Sequence, residues 1–335
     1  MSEATTRTQG RLSGVGAGSR RLISSSGLLL AVIVLFVILA FVAPNFLTSR
    51  NLLNVLRAVS FNGIIACGMT LMIIEGDIDI SIGSAVAWAS SLLGVSVIKW
   101  HWPLVAAVPM VLVLGGLIHA LAGYIRVRWL VPSFVLTLSL FMVLRGAARL
   151  ITNAFPISPF PAGFEFWGGG TVAFLGLGIP VPVIIMLVTF VVFHIISTRT
   201  VYGRAVYCVG GNEDAAHLSG ISVWKTRIVT FALIGLLSAF VGVLLSSRIQ
   251  SGSSNIAIGL EFEVIAAVII GGTSLAGGSG SIFGTFLGVL FIGLIGNGMV
   301  LMGVSPFMQE VVRGLIILVA VFVSILQRGA AAKEA

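Results

Sequence analysis

Charged residues make up only 9% of this 335-residue chain, against 58% hydrophobic residues, whereas a soluble globular protein carries roughly a quarter charged residues. So little charge cannot give a folded core a hydrated surface, which excludes a water-soluble monomer. Cysteine is nearly absent. Cys67 lies in an apolar run and Cys208 in a polar loop, so a disulfide framework is excluded and free thiols are expected. Lysine occurs only at Lys99, Lys225 and Lys333. None of the three completes the glycine pattern of a P-loop, so the chain lacks a Walker motif for ATP. An intramembrane enzyme would need a catalytic constellation, and neither His-Glu-x-x-His nor Gly-x-Ser-x-Gly after a plausible strand occurs. His119 and His194 have no partners at metal-ligand spacing; both are expected to be packing residues, and no metal site is expected.

What the chain does have is length without charge. A helix needs about 20 mostly apolar residues to cross the hydrocarbon core. Charge-free runs of that order cover residues 27–49, 58–74, 103–125, 166–198, 228–247 and 264–309, the last long enough for two spans around a glycine-rich break. Runs and breakers together predict an all-α, polytopic membrane protein of about ten transmembrane helices. The expected spans are 27–43, 53–74, 80–98, 103–124, 130–150, 174–197, 228–247, 262–278, 284–303 and 306–326. Residues 1–22, rich in Ser, Thr, Gly and Arg, have too little apolar surface to fold alone and are expected to be a disordered tail. The membrane domain is expected over 23–328, and residues 329–335 are expected to form a second short tail.

The formal charge of +8 reflects topology rather than polyanion binding, because the basic residues cluster at span ends. Most of the 19 Lys and Arg fall on one side: Arg7, Arg11, Arg20, Arg21, Arg126, Arg128, Arg199, Arg204, Lys225, Arg227, Arg328 and Lys333. The positive-inside rule then puts both termini and the loop at about 199–227 in the cytoplasm. The segment 153–171, without Lys or Arg, faces outside as a proline-rich cap.

Several segments stand out for chemistry. In the long loop, Gly211, Asn212, Glu213, Asp214, Ala215, Ala216, Leu218, Ser219 and Gly220 read as a short capped helix. Asn212 serves as N-cap, Glu213 and Asp214 bring negative charge to the first turn, and Gly220 closes the C-terminus. A helix this short needs a surface to lie on: either the protein's own loops or a cytoplasmic partner. Glu75, Asp77 and Asp79 stand at a span junction where ionisable groups are costly unless wet or paired. The reading favoured is a hydrated turn with Asp79 or Ser81 capping the next helix. Glu310 and Arg313, three residues apart, are expected to pair on one helix face. Asn62, Asn297 and Gln309 are the amides within spans that would line a pore, since amides bond hydroxyl groups without charge; bonds between helices explain them equally. Gly284 and Gly288, four apart, are expected to permit close helix packing.

Three stretches then carry a resemblance. Gly211, Asn212, Ala215, Ala216, Ser219, Gly220 and Ile221 resemble the coupling-helix loop of the ribose-type permease family, the membrane subunits of carbohydrate ABC importers. Ile78, Asp79, Ile80, Ser81, Ile82, Gly83 and Ser84 are similar to the family's Ile-Asp-Leu-Ser-Val-Gly-Ser. The run from Gly271 to Gly280, with Gly277 and Gly278 at its centre, followed by Gly284, Thr285 and Gly288, resembles its late glycine-rich signature. The family usually has small residues where this chain has Glu75 and Asp77. The resemblance implies the translocation pore of a bacterial importer for a monosaccharide, polyol or similar small hydroxylated solute, in the cytoplasmic (inner) membrane. It implies a separate cytoplasmic ABC ATPase that binds the ATP, a periplasmic or lipid-anchored sugar-binding protein and a second permease copy, identical or homologous. The chain itself would hold no cofactor. The alternative is a self-contained proton-coupled carrier using Glu75, Asp77 or Asp79.

Overall fold

The structure, a computed structural model, describes residues 27–174 and 176–333; the tail expected at 1–22 lies outside the described residues. Apolar runs fold into helices because every backbone N–H and C=O must be satisfied within a segment that has no water to bond. In chain order these are α1 (Gly27–Val42), α2 (Ser49–Ile74), α3 (Ile82–Gly94) with one π turn at Val95–Lys99, α4 (Leu104–Trp129), α5 (Ser133–Thr152) and the short α6 (Glu165–Gly169). After the hairpin β1 (Thr171–Phe174) and β2 (Leu177–Pro180) come α7 (Val181–Arg199), α8 (Val201–Gly211), α9 (Glu213–Leu218), α10 (Val223–Ile249), α11 (Leu260–Ile270), α12 (Ile282–Leu301) and α13 (Pro306–Lys333).

Among the described residues seven helices are long and apolar enough to cross a membrane: α2, α3 with its π turn, α4, α5, α7, α10 and α12. The expected all-α fold is corrected in one place. Thr171 to Pro180 form an antiparallel hairpin in register Thr171↔Pro180, and α7 begins only after it. The span expected at 262–278 is also corrected. Helix α11 has 11 residues, about 16 Å at 1.5 Å per residue and so about half of a ~30 Å core. It stops at Gly271, and residues 271–281 leave the helix.

Helix α2 is the axis of the fold: its most apolar stretch is 83% buried, against 22% for α4 and α5. Its inner face carries Ile64, Ile65, Met69, Leu71 and Met72, and its Thr70 hydroxyl meets that of Thr285 on α12 at 2.7 Å. The outer helices expose Val113, Leu117, Leu121, Met142 and Val143, as lipid-facing surfaces do. At one end of the bundle lie Arg126 of α4 and Arg227 of α10, with α8 and α9 beside them. At the other, segment 153–170 covers the ends of α3 and α10: Ile157 bridges Gly252, and Ser247 Oγ donates to the Phe164 carbonyl.

Candidate translocation cavity and coupling loop

A cavity of about 1050 Å³ opens between α2, α11, α12 and α13. Asn62, Asn297 and Gln309 are all on its wall. Asn62 Nδ2 donates to Glu263 Oε2 at 2.7 Å, and Glu263 Oε1 is 2.7 Å from Arg313 Nη1. Arg313 therefore ties α13 to the half-helix α11. The expected Glu310–Arg313 pair gives way to this longer-range one, because Glu263 enters the cavity from the first turn of α11. Asn297 and Asn51 exchange amide hydrogen bonds at 2.9 and 3.1 Å, and Gln309 Nε2 donates to the Val304 carbonyl. Asn62 and Asn297 thus tie α2 to α11 and α12, while Gln309 closes the turn leading into α13.

The short α11 is admitted by glycine. A Cβ on Gly83 would collide with the Glu261 carboxylate and the Ala257 carbonyl, so only glycine lets α3 approach the start of α11. Leading into α11, the irregular stretch 250–259 would expose carbonyls in the bilayer. Arg145 Nη1 satisfies two, Ser254 O and Ile256 O, both at 2.9 Å, as membrane-depth backbone requires. Gly277 and Gly278 have φ of +83° and +73°, a region L-residues avoid. There the loop 271–281 turns onto the end of α2, and Gly278 N–H donates to Ile74 O at 2.8 Å. Gly284 and Gly288 lie against Gly271 O and Ala267 O, the close packing of α12 on α11 that their spacing suggests.

Helix α9 has the caps its sequence specifies. Asn212 Oδ1 accepts from Ala215 N–H at 2.9 Å. At the other end Ile221 N–H reaches Ala216 O, Gly220 N–H reaches His217 O, and Gly220 has φ +82°, a complete Schellman closure. Ala216 is buried while Leu218 is 87% exposed, leaving a large apolar side chain outward.

The turn after α2 departs from expectation. Glu75, Asp77 and Asp79 are 2%, 1% and 0% exposed, not hydrated. Helix α2 also ends in a Schellman closure, with Gly76 at φ +89° and Asp77 N–H bonded to Met72 O. That turn delivers Asp77 to Arg126 Nε at 3.0 Å and Arg227 Nε at 3.3 Å. Arg227 in turn grips Glu213 of α9 through both guanidinium tips, at 3.1 and 2.8 Å. Asp79 accepts from Ser81 N–H at 2.7 Å and from the Ser81 hydroxyl at 2.5 Å, and lies 3.3 Å from His119 Nε2. His119 Nδ1 is 3.0 Å from Gly115 O; it is therefore the buried partner of Asp79, not a mere packing residue. Ser81 precedes α3 without capping it through its side chain.

Glu75 has no such partner. Burial pushes its carboxyl up to about 8 from 4.5, and neighbouring Asp77 adds to the rise, against the pull of Arg227. The Thr230 hydroxyl, bonded to Tyr202, also lowers the value but stands outside hydrogen-bonding geometry with either Glu75 oxygen. Arg126, Arg227, Glu263 and Arg313 were missed as site residues. The signal for the first two was the buried acid pair itself, which needs cations at the same end of the bundle.

A multi-pass helical protein with a polar-walled cavity and a half-helix at membrane depth is a transport protein in architecture. Residues 51–321 match the family described as branched-chain amino acid transport system / permease component, and the chain belongs to that family. It is 47% identical over 94% of its length to a probable ABC transporter permease of Escherichia coli, 94% of which is covered. It is 39% identical to the ribose import permease of Bacillus subtilis, covering 88% of this chain and 91% of that one. To the L-arabinose ABC transporter permease of Azospirillum brasilense it is 36% identical, covering 91% and 88%. No solved structure matches the chain. The resemblance to ribose-type permeases drawn from three motifs is thus shown, and the chain is a permease rather than an enzyme.

Proposed function

We propose that this chain is the pore subunit of a bacterial ABC importer for a monosaccharide, polyol or similar small hydroxylated solute. The observation that carries it is the 39% and 36% identity, over 88% and 91% of the chain, with a ribose import permease and an L-arabinose ABC transporter permease. The cavity suits the proposal: amides at Asn62, Asn297 and Gln309 offer donors and acceptors to hydroxyl groups without a net charge. ATP is bound by a separate cytoplasmic ATPase, and this chain holds no cofactor. A periplasmic or lipid-anchored binding protein delivers the solute, and a second permease copy, identical or homologous, completes the pore in the inner membrane. About ten membrane-crossing segments leave both termini in the cytoplasm, and α9 is the helix on which the ATPase docks. A proton-driven carrier finds no support among the relatives.

Gentle purification from native membranes followed by mass spectrometry tests this reading. A stoichiometric cassette ATPase is expected. A preparation without one, still moving solute into vesicles on a proton gradient, overturns it. Within the importer, Ala216→Pro removes the amide that bonds Asn212 O inside α9. Uptake is expected to be lost while the protein stays folded in the membrane; normal uptake would sink the role of α9.

A further inference from the structure

We infer that Asp77 and Arg227 are positioning residues, an ionic strut that carries displacement of α9 directly into α2 and α10, both of which reach the cavity. The inference rests on the docking role proposed for α9 and adds how its movement is transmitted. The chain of contacts runs from half-exposed Glu213 on α9 to buried Arg227 on α10, then to buried Asp77 at the end of α2, and on to Arg126 at the end of α4. It brings two carboxylates and two guanidiniums from four elements into one run. The strut resists yielding at its centre, because separating Asp77 from Arg227 gives up an ion pair in a site closed to water and leaves Asp77 with Arg126 alone and Arg227 with Glu213 alone. Bidentate geometry also fixes direction. Both tips of Arg227 hold Glu213 while its Nε lies 3.3 Å from Asp77 Oδ2, an ion-pair contact without hydrogen-bond alignment, so Arg227 cannot rotate toward one partner without loosening the other.

The far ends of the struck helices give the arrangement its consequence. Helix α2 carries Asn62 on the cavity wall, and α10 carries Arg248 there. Each is a continuous helix of 26 or 27 residues, stiff enough to move as a body. The third buried carboxylate, Glu75, is in the same pocket but makes no hydrogen bond and is not a link in the run. Asp77 is joined to α9 by charge, through Arg227 and Glu213.

The test reads the cavity, not uptake, so the solute need not be known. Cys208→Ser removes the exposed thiol, Cys67 being fully buried, and Gly296→Cys places a reporter in open space on the cavity wall. In membrane discs with the co-purified ATPase, the rate of maleimide labelling is measured with and without ATP plus vanadate. Asp77→Asn and Arg227→Gln are expected to keep the ATPase bound yet shrink the nucleotide-dependent change in labelling by at least about fivefold, the lower end of site-to-site coupling. An unchanged response in both variants overturns the strut. Loss of the ATPase from both overturns it too, because the residues would then serve docking alone. If Arg227→Gln does not accumulate, the near-isosteric Asp77→Asn decides. Failure of the docking reading is distinct: the parent protein itself would carry no ATPase or show no nucleotide response.

Discussion

Two carboxylates two residues apart, Glu75 and Asp77, differ because one is ion-paired and the other is not. Asp77 is flanked by two guanidiniums. Glu75 is buried without a hydrogen bond, and holding its proton to about 8 avoids an unpaired charge. The folded state therefore binds a proton that the unfolded chain releases near 4.5. Its contribution to stability is full below that value and is lost as pH rises through about 8. Apparent unfolding temperature in detergent is expected to fall across that window. In Glu75→Gln, neutral at every pH, this part of the slope is expected to vanish; an unaltered slope would show that Glu75 does not titrate there. At this scale the sequence marked the acids as costly but not their partners. Arg126 and Arg227 come from distant helices, and nothing local to residues 75–79 indicates that they fold back onto that turn.

Elements were legible where their determinants are local. Helix α9 has both caps written within a few residues, and the structure closes it as those residues require. Helix α11 was misread because its end is decided elsewhere. An apolar run with glycines is compatible with a span, and the backbone of 271–281 finds its partners outside a helix through contacts that fold back on Ile74 and Tyr207 and through its own Ser274–Ser279 turn. Likewise the hairpin before α7 is an apolar stretch that a hydropathy reading joins to the helix. The short α11 makes Gly83 sensitive. Adding one methyl group there, Gly83→Ala, drives a Cβ into Glu261 and the backbone of Ala257, and overpacking of that kind costs about 1–3 kcal/mol. Gly146→Ala in α5 meets open space and is expected to be neutral or slightly stabilising. Thermal unfolding of the two purified variants checks the contrast, and equal behaviour would mean that α3 and α11 do not touch as described.

For the whole molecule, burial and polarity are arranged around α2. The outer helices present Leu, Val and Met to lipid, where apolar exposure carries no penalty. The polar residues gather inward on the cavity and at the ends. If the cavity is the solute's route, filling it must stop transport without harming the fold or the attachment of partners. Gly296 is the place to do so, because a side chain there meets no atom within 4 Å and projects from a wall of the 1050 Å³ space. Gly296→Trp is expected to abolish uptake of whichever radiolabelled sugar or polyol the unmodified importer carries, while the ATPase still co-purifies. Leu121→Trp supplies the control, since Leu121 points outward from α4 at 59% exposure and tryptophan is at home on a lipid-facing surface. Full uptake by Gly296→Trp would exclude this cavity as the path. Equal loss in both variants would mean that added bulk alone disturbs the bundle, and the route would have to be sought between other helices.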